Sequence, residues 1–451
     1  MAWHGHRPVD FLGNARHCQP FRLVSRCVST LPNPIPMNAP ATQGTLMGKG
    51  LSTLWAPFSP ANRLNPYPMY QALRELDPVH QLKTGDWVVS RYADVCTVLM
   101  DKRFDVIDMP SYFRYKTLEI NDTVVDLYAT YQASYNWLLY LRRPMHGRTR
   151  EMVMKIWPTL NFADCVRTVL AELAGQMAQK AAIDLIDDFA KPLPVMVISR
   201  LMGFPETHLE ELKYWGERLA TVFEPMLSRN EMVEINQAAA AFLAFVDDCI
   251  TAHEQKPADT MIGKLMAQRT VDGESIDRAD LISLIANLFV AGEETTRNLI
   301  GNGFAALTAF PEQYERLRQQ PELLKPAVEE MLRYDSPVQI TSRMALEDAE
   351  VSGQLIRAGE QIYVCLGSAD RDERQFDSPD QLDITRLKNK HLAFGYGSHF
   401  CLGASLARMQ GMMAFQLLLD QFPTLRADLP NAVQRKNLLL RGFGTLPTVR
   451  V

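Results

Sequence analysis

The stretch Phe394-Gly395-Tyr396-Gly397-Ser398-His399-Phe400-Cys401-Leu402-Gly403-Ala404 places one cysteine in a glycine-rich loop, directly before an apolar pattern at helical spacing. That pattern runs from Leu402 to Phe422, and Pro423 ends it. Cys401 is therefore expected at a helix N-terminus, where free backbone N–H groups and the positive end of the helix dipole favour a thiolate over a thiol. We predict that Cys401 binds a metal.

The residues around Cys401 narrow the kind of metal site. A single cysteine is more often a buried, inert thiol, and zinc is excluded because no second cysteine lies at a short ligand spacing. The pattern Phe-Gly-x-Gly-x-His-x-Cys-x-Gly, however, resembles the haem-thiolate signature of the cytochrome P450 family. The resemblance implies that Cys401 ligates the iron of haem b and that Phe394 and Gly403 lie against the cofactor. Gly403 lets the first helical turn approach a flat group closely.

The resemblance covers residues 51–451 and also implies the fold. We expect the cytochrome P450 fold, which is mainly α with a small β lobe and has a long central helix over the haem. A helix in the position of His146 and Arg150 supplies a histidine and an arginine to the haem propionates in this family. The same family comparison assigns Arg343 and His399 to the propionates.

The run from Arg278 to Phe310 predicts that long helix, about 50 Å in length if helical throughout. Ala291-Gly292-Glu293-Glu294-Thr295-Thr296 lies in its middle, where small residues let another body lie against the backbone. A threonine hydroxyl that bonds back to a carbonyl can open such a helix locally. Taken alone the motif is more often structural. The resemblance implies that Ala291 and Gly292 contact the haem and that Glu294 and Thr295 are the catalytic acid and alcohol.

A second charged group is expected to be structural. Glu330 and Arg333 form an i, i+3 pair on a predicted helix, and Arg386 lies fifteen residues before Cys401. In the resembled family these three brace the loop behind the haem. The family usually has Ala-Asn-Arg-Asp in the next motif, whereas this chain has Asp370 in place of the asparagine.

Local patterns predict the remaining elements. A helix is expected from Asn65 to Asp77, a hairpin over residues 79–90 and amphipathic helices over 163–185 and 205–253. Pro192-Leu193-Pro194 is interpreted as a bend. The aromatic segment 104–136, too long to be an ordinary loop, predicts an apolar substrate pocket. The other residues assigned to that pocket are Leu288, Phe289, Val338, Ile340 and Phe443.

Composition limits the class of protein. The chain of 451 residues is 47% hydrophobic and 22% charged, with a net charge of −5 and no basic run, so nucleic acid is not an expected partner. No stretch reaches the roughly 18 consecutive apolar residues that a membrane anchor needs. The seven cysteines show no paired framework, which favours a reducing, cytoplasmic location without disulfides.

We expect two regions in the chain. Residues 1–50 are proline-rich and acid-poor and predict a disordered N-terminal extension, with Met37 or Met47 as alternative starts. Residues 51–451 are expected to form a single haem-thiolate domain, and we expect a monomer.

The predicted function is a haem-thiolate monooxygenase like the soluble bacterial members of the family. It would insert one atom of O2 into a C–H or C=C bond of an apolar small molecule such as a fatty acid, a terpenoid or a polyketide. No flavin or iron–sulfur pattern is present, so electrons from NAD(P)H would arrive through a separate ferredoxin or flavodoxin with its reductase. That partner would dock on the Cys401 side, near Arg148, Lys155 or Arg408. A peroxide-driven or rearranging haem-thiolate enzyme and a non-catalytic haem sensor remain the alternatives.

Overall fold

The computed structural model of the protein describes residues 54–107, 127–224, 227–268 and 276–451. The expected extension over residues 1–50 lies outside these ranges. So does most of the aromatic segment, including Tyr112, Phe113 and Tyr115.

Helices make up most of the described chain. In order they are α1 Pro60–Leu64, α2 Tyr67–Leu76, α3 Tyr92–Met100, α4 Tyr128–Ser134, α5 Met145–Ile156, α6 Phe162–Ala178, α7 Pro192–Met202, α8 Leu209–Ala220, α9 Arg229–Gln255, α10 Met261–Ala267, α11 Arg278–Ala309, α12 Pro311–Gln319, α13 Leu324–Tyr334, α14 Leu366–Ala369 and α15 Ala404–Gln421.

The strands are short. They are β1 Val79–Gln81, β2 Trp87–Val89, β3 Phe104–Asp105, β4 Ile340–Ala345, β5 Ala349–Val351, β6 Gln354–Ile356, β7 Gln361–Cys365, β8 Leu425–Ala427, β9 Val433–Gln434, β10 Phe443–Thr445 and β11 Thr448–Arg450. Five of them form one sheet in the order β1-β2-β7-β4-β3, in which only the β2–β7 pair is parallel. The predicted mainly α fold with a small β lobe is confirmed.

Helix α11 is the centre of the helical part. Its N-terminus is capped by Asp277, whose carboxylate accepts the N–H of Ala279 at 2.8 Å, and Pro311 follows its C-terminus. It packs against α4, α7, α8, α9 and α15, so nearly every face is buried. The predicted long helix from Arg278 ends within one residue of the expected Phe310.

The interpretation of Pro192-Leu193-Pro194 as a bend is wrong. These residues begin helix α7, where the first proline stands in the first turn and needs no N–H partner, and Gly203 ends the helix with a positive φ of 85°. Ten of the eleven residues of α7 are buried. The helix is apolar all round, so it lacks the polar face that an amphipathic pattern requires.

Among the described residues, no helix combines the length and the apolar character needed to cross a membrane.

Candidate functional site

The loop before α15 holds Cys401 in a fixed backbone frame. The N–H of Cys401 donates to the carbonyl oxygen of Phe394 at 2.9 Å, which closes the loop. Gly395 and Gly397 have φ values of 70° and 77°, in the region that other residues rarely adopt. A side chain on Gly397 would also stand 2.7 Å from the carbonyl oxygen of Leu99. The glycine pattern is therefore a requirement of this turn.

The sulfur of Cys401 lies just outside the helix N-terminus, since α15 begins at Ala404. Burial raises the pKa of the Cys401 thiol, although the N–H of Gly403 and the charges of Arg150 and Arg408 act in the opposite direction. Desolvation therefore acts on the free thiol against the thiolate form that the helix N-terminus is expected to favour. Coordination to a metal ion deprotonates a thiol directly.

Three residues in the middle of α11 are accessible, although the rest of that part of the helix is buried. Between Ser283 and Leu307 only Ala291, Gly292 and Thr295 are not buried. Ala291 and Thr295 are four residues apart, so they share one face, and the Thr295 hydroxyl donates to the carbonyl oxygen of Ala291 at 3.2 Å. The central helix therefore exposes a strip of small side chains and one hydroxyl.

Glu294 points away from this strip into a buried ionic group. Its Oε1 accepts hydrogen bonds from Nη1 of Arg435 and, at 3.3 Å, from Nδ2 of Asn298. Nη1 of Arg297 lies 3.7 Å from its Oε2, and Glu294 is 2% exposed. The predicted acid and alcohol are neighbours in sequence, but the structure gives no direct hydrogen bond between them.

The residues predicted for the propionates gather from three elements. The rings of His146 from α5 and His399 from the Cys401 loop have centroids 4.0 Å apart. Arg343 from β4 is buried, and its Nη1 donates a hydrogen bond to the carbonyl oxygen of Ser342 at 2.7 Å. Oδ1 of Asp105, on β3, lies 3.8 Å from Nε2 of His399. Asp105 carried no sequence signal, because only the β3–β4 pairing brings it here.

The buried basic side chains of this group favour the binding of an anion. Burial lowers the pKa of Arg343 to about 10, with only the charge of Asp105 acting in the other direction. Burial, together with the positive charges of His399 and Arg150, lowers the pKa of His146 to about 4. Within the described residues neither Arg343 nor Arg150 forms an ion pair with a carboxylate. A buried guanidinium without a counter-charge is costly, and a bound carboxylate would supply that charge.

These observations fit a haem. The accessible strip on α11 offers a surface for a flat group, the thiol of Cys401 offers a soft iron ligand, and Arg343 with His146, His399 and Arg150 offers a site for carboxylates. At Gly403 the nearest atom to an added side chain would be the Cys401 sulfur at 4.0 Å, so the first turn of α15 leaves open space. The donor set is that of a single thiolate with anion-binding side chains.

The three residues predicted as a brace are in contact. Arg333 and Glu330 have no exposed surface, and Nε of Arg386 donates to Oε2 of Glu330 at 3.1 Å. Arg408, predicted near a docking surface, is paired with Glu329 at 2.6 Å and lies over the ring of Phe394 at 4.5 Å. Its charge is thus compensated within the chain.

The predicted pocket residues have different surroundings. Leu288 precedes the accessible strip by three residues and is nearly buried, and Val338 is half-buried. Phe289 is fully buried, with its ring 5.1 Å from that of Phe242, and Ile340 packs in the core beside the sheet. Phe443 packs near Ile186 and Gly301.

Close packing leaves Phe289 and Ile340 almost no surface with which to line a cavity in this structure. Their assignment to the pocket stays a prediction that the contacts do not support.

Known proteins match this architecture over most of the chain. The family model described as Cytochrome P450 matches residues 162–441. The "Polyketide biosynthesis cytochrome P450 PksS" of Bacillus subtilis (strain 168) is 34% identical over 398 residues, covering 85% of this chain and 95% of the relative. The "Biotin biosynthesis cytochrome P450" of the same organism is 36% identical over 369 residues, covering 80% and 90%.

A solved structure agrees with this result. It is a crystal structure of P450BioI in complex with an acyl carrier protein ligated to hexadec-9Z-enoic acid. It is similar with a TM-score of 0.76 and 32% identity, covering 87% of this chain and 100% of that chain.

Proposed function

This chain belongs to the cytochrome P450 family and is a monooxygenase, and on that premise we propose that its substrate is an apolar acyl chain of the fatty acid or polyketide type. The enzyme would insert one atom of O2 into a C–H or C=C bond of that chain. The observation that carries the proposal is the accessible strip of Ala291, Gly292 and Thr295 on a helix that is otherwise buried. An apolar helix face with one hydroxyl suits an apolar substrate held beside a proton-transfer group.

Each residue of the site is assigned a separate role in this proposal. Haem bound through a thiolate supplies the chemistry that cleaves O2 and delivers oxygen to a C–H bond. Cys401 would hold the iron, with the Gly403 N–H directed at its sulfur. Arg343 and His399 would bind the carboxylates of the cofactor, together with His146 and Arg150. The buried surroundings exclude water from the cavity, which strengthens each charge interaction inside it.

Protons must reach this cavity, and Thr295 is the residue of the accessible strip on α11 that carries a hydroxyl. Its Oγ1 would release the carbonyl oxygen of Ala291 and pass a proton into the cavity. Glu294 would supply that proton from the buried ionic group behind the helix, through water. Arg435 holds Glu294 in place and was not predicted from the sequence, because 141 residues separate the two.

Electrons would come from NAD(P)H through a ferredoxin or flavodoxin with its reductase. Arg148 is exposed on α5, the helix that also carries His146, and Lys155 on the same helix pairs with exposed Glu151 at 3.0 Å. Exposed cations attract an acidic partner and accelerate its association. Arg408 contributes less than expected because Glu329 compensates its charge.

The test is oxygenated product from a defined reconstitution. Purified protein is first screened for spectral shifts with free fatty acids and polyketide-like acids, terpenoids being the comparison class. Turnover is then measured with ferredoxin, its reductase and NADPH, and in parallel with added peroxide alone. Product that requires the electron partners supports the proposal. Product formed only with peroxide would favour the peroxide-driven enzyme, and binding of terpenoids alone would contradict the acyl substrate.

A second candidate concerns how the acyl chain is presented. The similar P450BioI structure contains an acyl chain attached to an acyl carrier protein, and PksS is named for polyketide biosynthesis. The substrate of this chain would then be a carrier-bound thioester. The spectral titration distinguishes the two forms, because a carrier-bound chain should bind tighter than the free acid and than the carrier protein without its chain.

A further inference from the structure

Glu293 is a second buried carboxyl next to Glu294, and the relay described above does not use it. Its side chain is 1% exposed on helix α11, and neither carboxyl oxygen has a hydrogen-bond partner within the described residues. Buried polar groups are almost always hydrogen-bonded, to protein or to ordered water. An acid with two unsatisfied oxygens in the centre of the molecule therefore requires a partner or a function.

Helix α8 creates the space that Glu293 occupies. Gly216 faces α11 there, and any larger side chain at Gly216 would overlap the carboxyl of Glu293. The ring of Phe289 closes the same space from one turn earlier on α11, since an added side chain on Gly216 would stand 3.1 Å from it. The carboxyl is thus held between two helices.

Charged groups surround this carboxyl from every element packed on it. Lys191 precedes α7, Glu217 belongs to α8, Arg297 follows on α11, and Arg435 reaches in from beyond β9. Glu217 and its partner Lys191 are the members with most access to solvent, with 23% and 21% of their side chains exposed. Glu217 lies 3.0 Å from Lys191, 3.6 Å from Arg297 and 3.5 Å from Arg435. Glu217 therefore connects the buried acids to the surface.

Unsatisfied atoms mark a path within this group. Besides both oxygens of Glu293, they include Oε2 of Glu294, Nε and Nη1 of Arg297 and Oδ1 of Asn298. Donors and acceptors are both present, so ordered water can satisfy them together, with each water making two to four hydrogen bonds. Such waters would join Glu217 to Glu293 and Glu293 to Glu294.

We propose that Glu293 holds a proton that it supplies to Glu294 through bound water and regains from solvent at Glu217. The proposal rests on the relay of Glu294 and Thr295 described under the proposed function. The O–H bond of the Glu293 carboxyl breaks, water carries the proton, and an O–H bond forms on Oε2 of Glu294, so charge is only moved. The Glu293 carboxylate then takes a proton from water at Glu217. No oxidant or reductant takes part.

Electrostatics agree with a stored proton. Burial, followed by the negative charge of Glu294, raises the pKa of Glu293 well above its usual range, while Arg297 and Lys191 oppose this only in part. In contrast, the charges of Lys191 and Arg435 hold the pKa of Glu217 at about 2 despite its partial burial. Glu217 is thus an anion that draws protons to the surface end, and Glu293 is a neutral acid at the inner end.

Infrared spectroscopy tests the proposal without any substrate. In an Asp370→Asn background, which removes the other buried carboxyl with a raised pKa, the ferric protein should show the C=O band of a protonated carboxylic acid, shifted in D2O, and Glu293→Gln should remove it. Glu294→Gln should shift the band, because the two groups share bound water. Glu315→Gln, which changes an exposed glutamate paired with Arg318 elsewhere, is the control and should leave it unchanged. Haem content shows that each variant is folded, and Glu293→Asp is the second variant if Glu293→Gln does not fold.

Turnover gives the second readout. Glu293→Gln should lower product formation by up to about 100-fold, the low end of what positioned proton transfer contributes, with substrate affinity unchanged. Glu293→Asp should restore part of the rate. The proposal is overturned if the band persists in Glu293→Gln, if Glu294→Gln does not shift it, or if Glu293→Gln has the wild-type rate. Failure of the wild type to oxygenate acyl chains would reject the proposed function, and the infrared result would be unaffected.

Discussion

Glu330 and Arg333 form an ion pair with two hydrogen bonds and no exposed surface on either side chain. Nη2 of Arg333 lies 2.7 Å from Oε1 of Glu330, and Nε lies 2.8 Å from Oε2. The same guanidinium donates to the carbonyl oxygens of Asp370, Pro379 and Gln381. These hydrogen bonds hold α13 against residues 370–381, which precede the Cys401 loop.

Removal of Arg333 should therefore destabilise the whole domain. Arg333→Ala removes two hydrogen bonds from the buried carboxylate of Glu330 and leaves Arg386 at 3.1 Å as its ion-pair partner, and we expect a loss of about 3–5 kcal/mol in the free energy of unfolding. Chemical denaturation followed by haem absorbance measures it. Arg318→Ala, which breaks an exposed pair with Glu315 at the same i, i+3 spacing, is the matched control and should have no measurable effect. Equal stability of the two variants would refute the brace.

The contact between Gly216 and Glu293 predicts a coupled pair of substitutions. Gly216→Ala puts a methyl group on the carboxyl of Glu293, and such overpacking costs about 1–3 kcal/mol. In a Glu293→Ala background the overlap with the carboxyl is gone and the Phe289 ring at 3.1 Å is the remaining close contact, so Gly216→Ala should cost less than in the wild type. A double-mutant cycle on thermal unfolding measures the coupling. Additive effects would show that the two helices separate instead.

Several features of this fold could be predicted because their signals are local. Pro311 and Asp277 delimit α11, and the turn between Val79 and Ser90 is marked by Gly85, so these elements lie where expected. Helix α7 could not be predicted in this way because ten of its eleven residues are buried and no periodicity remains. Asp105 was missed because its strand is only two residues long.

Asp370, which replaces the asparagine usual in the resembled family, should make stability depend on pH. Burial raises its pKa from 3.8 to about 7, although nearby positive charges and the N–H of Leu392 at 2.6 Å oppose the shift. A raised carboxyl pKa means that the folded state binds the proton more tightly. Stability is therefore lost as pH rises from about 4 to 7, by up to roughly 4 kcal/mol, and the penalty is fully present above pH 7.

Asp370→Asn should remove this dependence. The amide is neutral at every pH and keeps an oxygen for the N–H of Leu392, so the variant should melt higher than the wild type at pH 8 and nearly equally at pH 4.5. Glu360→Gln, which changes a carboxylate bonded to Trp87 at 2.7 Å in the sheet, is the control for a general loss of charge. A melting difference that does not change with pH would contradict the assignment.

Cys401 is predicted to be the sole thiolate ligand of the haem. Cys401→Ser should abolish the red-shifted absorption band of the reduced, carbon monoxide-bound protein, because that band requires a thiolate on the iron. Cys249→Ser is the control. It changes a buried cysteine that is remote in sequence and should retain the band. A persistent band in Cys401→Ser would disprove the assignment.

The chemistry of Cys401 shows where sequence reasoning stops. The position of the thiol before a helix follows from the spacing of glycines and apolar residues, but its desolvation does not. Burial depends on which distant residues the fold brings to the loop, such as Leu99 beside Gly397 and Arg150 near the thiol. The same limit applies to Glu293, whose partner Gly216 lies far away in sequence and becomes its neighbour only when α8 packs on α11.

Thr295 provides the final prediction, which concerns mechanism. If its hydroxyl passes protons into the cavity, Thr295→Ala should retain haem, substrate binding and NAD(P)H consumption, because none of these uses the hydroxyl. Product per NAD(P)H should fall by at least about tenfold, since a positioned proton donor contributes about 100-fold or more. The missing reducing equivalents should appear as hydrogen peroxide, which is released when protons reach the oxygen without passing through the Thr295 hydroxyl.

Two further variants make that result specific. Thr296→Ala removes the neighbouring hydroxyl, which is buried on another face of α11, and should leave the ratio of product to NAD(P)H unchanged. Glu294→Gln removes the acid that recharges Thr295 and should slow the whole cycle instead of diverting it to peroxide, because every proton that enters through the relay then comes late. The measurements are product, NAD(P)H and peroxide in the same reaction. An unchanged ratio in Thr295→Ala would eliminate the hydroxyl as a proton carrier and leave water as the route into the cavity.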